Sequence, residues 1–83
     1  MERADILEAV YDAVAEAYEI EKDILTEESA CKDLPNHSSS KVLKMALFIG
    51  ENLDQDEDLT FEEVADCQNL GEVADMAKKK YGL

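Results

Sequence analysis

The sequence predicts an all-α fold, a bundle of three main helices and one short one. Three observations carry that prediction. Apolar residues recur at three- and four-residue spacing in three separate stretches. Helix start and stop signals stand where those stretches begin and end. The chain of 83 residues is one small domain's worth of sequence, with no internal repeat.

Residues 2 to about 19 form the first expected helix. Ile6, Leu7, Val10, Val14, Ala17 and Tyr18 recur at helical spacing, while Glu2, Asp5, Glu8, Asp12, Glu16 and Glu19 fill the opposite face. Abundant alanine suits helix propensity and close packing. Tyr11 and Tyr18, seven apart, flank the same stripe.

From Ile20 to His37 the pattern breaks, and Pro35 disfavours a helical Leu34. A connection this long in so small a domain points to function, with Ile24, Leu25 and Leu34 expected to pin it to the core. The second helix is expected from Ser39 to Leu53. Val42, Met45, Ala46, Ile49 and Leu53 form its inward stripe. Leu43, Leu47 and Phe48 fall outside that stripe, and from them an exposed apolar strip of Leu43 and Leu47 flanked by lysines is expected. An acidic loop, Asp54 to Asp58, follows. A short third helix then starts with Thr60 as N-cap and Glu63 completing a capping box. The last helix runs from Leu70 to Lys80, with Leu70, Val73, Ala74 and Ala77 inward. Lys78, Lys79 and Lys80 complement its dipole, and Gly82 stops it.

Size and charge narrow the function. A chain this short buries only about 60–65% of its unfolded surface, which disfavours a deep catalytic cleft and favours carrying, binding or scaffolding; the expectation is that it is not an enzyme. Eight basic against 21 acidic residues leave a formal charge of −13. That field repels nucleic acid and anionic lipid, so neither is expected as a partner. Cys31 and Cys67 make no disulfide framework and match no metal motif; they read as buried free thiols of a reducing compartment. No leader segment opens the chain and no apolar run approaches spanning length, so a cytoplasmic monomer is expected.

The stretch from His37 to Ile49 is the centre of the functional reading. Three serines, Ser38, Ser39 and Ser40, stand where the long loop turns into an apolar helix. Serine is a preferred N-cap, which accounts for one of them. The cluster resembles the phosphopantetheine attachment site of acyl carrier proteins and the related peptidyl carrier domains. In that family the modified serine opens the second helix, within Asp-Ser-Leu or, in peptidyl carriers, Leu-Gly-Gly-His-Ser-Leu. Leu34-Pro35-Asn36-His37-Ser38-Ser39 is similar to the latter with the glycines and last leucine replaced. Asp58-Leu59-Thr60-Phe61-Glu62-Glu63-Val64, on to Leu70, resembles the family's passage through its short third helix into its fourth. Leu25-Thr26 resembles the Val-Thr of its first loop.

The resemblance implies a four-helix acyl-carrier-like bundle with a long first loop, and 4'-phosphopantetheine covalently held on a serine. The arm's thiol would carry acyl intermediates of fatty-acid, lipid or polyketide-type synthesis as thioesters. The implied partners are a phosphopantetheinyl transferase (holo-ACP synthase) and acyl-transferring or ketosynthase-type enzymes with basic patches. Matching Leu34 to the motif's leucine selects Ser38 as the attachment point. Counting from Leu25-Thr26 selects Ser39, and so does helical register. Apolar inward residues three, six or seven, ten and fourteen places on are Val42, Met45 and Ala46, Ile49 and Leu53 from Ser39; from Ser38 two of them would be Lys44 and Asn52. From Ser40 the last would be Asp54. Ser39 is the chosen site, with Ser38 as N-cap before it. Val42, Met45, Ile49, Leu53 and the first loop would help line an acyl-sheltering core. Leu43, Leu47, Lys41 and Lys44 would form the docking face.

The sequence supplies no base to activate a serine beyond the adjacent His37, which reads as a solvated loop residue. A rival reading is a non-enzymatic acidic interaction module. Asp54, Asp56, Asp58 and Glu62 match positions 1, 3, 5 and 9 of an EF-hand loop. Leu59 stands where that loop needs glycine and Ala65 where it needs a bidentate glutamate, so no metal ligand is assigned. Two departures from the carrier pattern mark a specialised member. His37 to Leu53 has Lys41 and Lys44 against only Glu51, where the family's second helix is acidic, and the loop before helix three is about two residues longer by register.

Overall fold

The computed structural model describes all 83 residues, Met1 to Leu83. Four helices, α1 (Arg3–Tyr18), α2 (Ser39–Asn52), α3 (Phe61–Ala65) and α4 (Leu70–Tyr81), pack around one core with no strand. Two 3-10 turns, Lys22–Ile24 and Cys31–Asp33, punctuate the first loop. A radius of gyration of 11.1 Å is slightly below the roughly 12 Å expected for this length.

The expected stripes form the core. Ile6, Val10, Val14 and Tyr18 of α1, Met45 and Ile49 of α2, and Leu70 and Val73 of α4 are essentially inaccessible. The small residues Ala9, Ala13 and Ala17 are buried beside them, and α1 packs mainly on α2 and α4. Asn52 ties the end of α2 to α1 by donating from Nδ2 to the Ala9 carbonyl at 3.1 Å.

Each helix boundary has a local cause. Asp5 accepts from the Glu2 amide at 3.1 Å and closes the start of α1. Glu19, in the left-handed region at φ 57°, ends it one residue before the expected boundary. Ser38 Oγ accepts from the Lys41 amide at 3.3 Å, the expected N-cap of α2. At α3 the capping box is complete: the Glu63 amide donates to Thr60 Oγ1 at 3.1 Å and the Thr60 amide to Glu63 Oε1 at 2.8 Å. Gly82, at φ 67°, terminates α4 as the sequence anticipates.

The first loop is seated rather than loose. The Leu70 amide donates to the Ser29 carbonyl and the Gly71 amide to the Glu27 carbonyl, both at 2.9 Å. With Glu72 N–H on Asn69 Oδ1 at 2.9 Å, the amides of the first three residues of α4 are satisfied. A Cβ on Gly71 would stand 3.2 Å from Glu27 Oε1, a tight approach that the Glu27 side chain would have to yield to. Leu25 is buried and Leu34 packs against the core, as expected, but Ile24 is 56% exposed. The 3-10 turn is the reason. Its first residue, Lys22, pairs with Glu8 and Asp12 of α1, and of the adjacent pair Ile24 and Leu25 only the second turns inward.

No helix is long and apolar enough to cross a membrane.

Candidate functional site

The end of the first loop, the start of α2 and α3 enclose a cleft of about 770 Å³. Ala30, Cys31, Lys32 and His37 come from the loop, Ser39 and Val42 from α2, Phe61, Val64 and Ala65 from α3. Asp66, Cys67 and Gln68, just beyond α3, complete the wall. The sequence-chosen serine therefore opens onto the largest concavity of the molecule.

The three serines are not equivalent. All are exposed. Ser38 is the N-cap, its oxygen engaged by the Lys41 amide. Ser39 is the first residue of α2 and borders the cleft. Ser40 follows it in the first turn and does not border the cleft. The first turn of α2 contains no acidic residue, whereas α1, α3 and α4 carry Asp5, Glu62 with Glu63, and Glu72 there. The partial positive charge of the α2 N-terminus is left uncompensated beside Ser39.

His37 is exposed, but it is not merely solvated. Its Nδ1 lies 2.9 Å from the Tyr18 hydroxyl, in hydrogen-bond contact, with the two rings nearly parallel at 9°. Tyr18 is the last residue of α1 and fully buried, so its phenol is a fixed anchor for the residue that precedes the serines. Local patterning does not reveal this contact, because 19 residues separate the pair. Burial raises the Tyr18 phenol well above its ordinary range and keeps it neutral.

The thiols also differ from expectation. Cys31 and Cys67 are free, but half-buried, and both face the cleft. Cys31 Sγ donates to Met45 Sδ at 3.5 Å and Cys67 Sγ to the Glu63 carbonyl at 3.4 Å. Burial raises both thiols, that of Cys67 to about 11, so both stay protonated at neutral pH.

Of the α2 residues expected to line a sheltering interior, Val42 alone borders the cleft, beside Ala30, Cys31, Lys32 and His37 of the first loop. Met45, Ile49 and Leu53 are sealed into the core below it. The walls supplied by Phe61, Val64 and Cys67 went unrecognised, since only tertiary packing brings α3 against the start of α2.

In the acidic loop, Asp54, Asp56 and Asp58 are exposed, and Asp54 is in the left-handed region at φ 57°. Leu59, in the place where a calcium loop turns on glycine, is buried in the core. No group of three or more His, Cys, Asp or Glu side chains is arranged to hold a metal ion. The loop is tied instead to α4. Tyr81 Oη donates to the Glu57 carbonyl at 2.6 Å and Lys80 Nζ to the Asp58 carbonyl at 3.2 Å. Lys80 also meets Glu63 at 2.7 Å, joining the loop, α3 and α4.

Comparison of the chain with protein-family models, curated proteins and solved structures finds no match in any of the three.

Proposed function

We propose that this chain is a carrier of the acyl carrier type, bearing 4'-phosphopantetheine on Ser39 and presenting acyl groups to partner enzymes. The observation that carries the reading is the position of Ser39. It is exposed at the first residue of α2, with Ser38 occupied as the cap before it, on the rim of a part-apolar cleft.

The surroundings fit a phosphodiester. An anion on Ser39 Oγ would meet the positive end of α2, with no carboxylate in that turn and Lys41 within it. The arm, when attached, supplies a terminal thiol for thioesters. The chain's own work is to position, through the Tyr18–His37 contact that holds the approach to α2, and to shelter, through Val42, Phe61 and Val64 at the cleft. Cys31 and Cys67, kept protonated by burial, are poor nucleophiles toward a thioester held beside them. The bundle of four helices with its long first loop supports the same reading, as an acyl-carrier-like arrangement. Attachment itself would be the task of a separate phosphopantetheinyl transferase, since no base contacts Ser39.

Incubation with coenzyme A and a broad-specificity phosphopantetheinyl transferase, followed by intact-mass measurement and fragmentation, tests the reading. One arm on Ser39, lost in Ser39→Ala and retained in Ser38→Ala, is the expected result. An adduct on Ser38 or Ser40 would keep the function and move the site. No adduct on any serine would overturn the carrier reading and leave the acidic interaction module.

A further inference from the structure

We infer that the outward strip of α2 docks a partner surface of inverted charge: an apolar patch rimmed by carboxylates, not the basic patch that a chain of net charge −13 would be expected to meet. The inference rests on where the chain's positive charge is free. Of its eight basic residues, Arg3 is held by Glu27 and Asp75, Lys22 by Glu8 and Asp12, and Lys80 by Glu57 and Glu63. Lys32, Lys41 and Lys44 have no ion-pair partner, and all three lie in the last turn of the first loop or the first half of α2. Lys78 and Lys79, also without an ion-pair partner, lie in the last turn of α4.

The same helix, α2, holds the exposed apolar surface. Leu43 and Leu47 are 55% and 41% exposed, and the only other large apolar side chains so exposed are Met1 and Ile24. Four residues apart, they are neighbours on one helix face, and Lys44, three residues before Leu47, lies beside it. Lys41, three residues before Lys44, continues the cationic flank. Glu51 is the one acid of α2 and stands at its far end. An apolar pair with two lysines and a positive helix terminus is complementary to leucine-like contacts bordered by glutamate or aspartate. Lys78 and Lys79 have no such exposed apolar pair within α4, so only the α2 strip combines free lysines with exposed leucines, and the carboxylates that dominate the rest of the surface disfavour landing there.

This surface does not depend on the arm, so its test uses the unmodified full chain. The probes are two synthetic helical peptides with the same leucine stripe, one flanked by glutamates and the other by lysines. Backbone amide shifts of the isotope-labelled protein locate binding. The glutamate peptide should shift the amides of Lys41 to Phe48 in a saturable manner, more weakly as salt is raised. Lys41→Glu with Lys44→Glu should weaken it at least about tenfold, and Leu43→Ser with Leu47→Ser should do the same. All four positions lie outside the core, so circular dichroism should show an unchanged fold. Three outcomes would overturn the inference: no saturable shift in the strip, preference of the strip for the lysine peptide, or strip shifts produced by raising the protein's own concentration, which would make a second copy its occupant.

Discussion

Ser38 and Ser39 are neighbours of unequal structural weight, and stability measurements can separate them. Ser38 satisfies an amide that would otherwise be orphaned at the start of α2. Ser38→Ala should cost about 1 kcal/mol in denaturant unfolding. Ser39, whose side chain makes no hydrogen bond within the chain, should change stability by less than about 0.5 kcal/mol on substitution by alanine. If Ser39→Ala proves the more destabilising, the cap has been assigned to the wrong serine. The cap at Ser38 was legible in the sequence, because capping and helical register are both local. The Tyr18–His37 contact was not. Each residue reads correctly alone, as core and as loop, and nothing in the chain links them until α1 and α2 pack.

Among the elements, α3 has the weakest intrinsic case for existing. Five residues cannot sustain a helix on propensity. It survives on its capping box, on buried Val64, and on Lys80 reaching over from α4. Glu63 belongs to two of those three supports. The Lys80 ammonium, then the Thr60 amide, lower its carboxyl below the usual 4.5. A carboxyl depressed in the folded state stabilises above its unfolded value, and that contribution fades as pH falls through the folded one. Glu63→Gln should therefore lower the melting temperature at neutral pH, and the gap from the parent should close as acidification passes below the usual carboxylate range. A gap constant across that range would show that the ion pair contributes nothing. The capping box was visible in Thr60 and Glu63. The pairing with Lys80 was hidden, since the lysine run near Gly82 already had a sufficient local explanation in the helix dipole. The outward Ile24 was missed for a related reason: hydropathy marks both Ile24 and Leu25, and only the 3-10 turn decides which faces in.

The molecule as a whole balances a continuous apolar core against a surface of like charge. Twenty buried residues from all four helices and their connections form one cluster, and no buried polar side chain lacks a partner. Against it stands the self-repulsion of 21 carboxylates, only partly relieved by eight bases. The ion pairs of Arg3 and Lys22 are substantially exposed and of small individual value. Raising ionic strength to about 0.15 M should consequently raise the melting temperature. A fall would mean that the ion pairs outweigh the net repulsion. The carbonyls that the first loop lends to α4 have a temporal consequence. Because Leu70 and Gly71 depend on Ser29 and Glu27, that part of the loop cannot lift without baring two amides of α4. Those amides exchange with solvent when the two segments part. Their exchange rate is a clock, built into the fold, for how often the Glu27 to Ser29 stretch and the start of α4 separate.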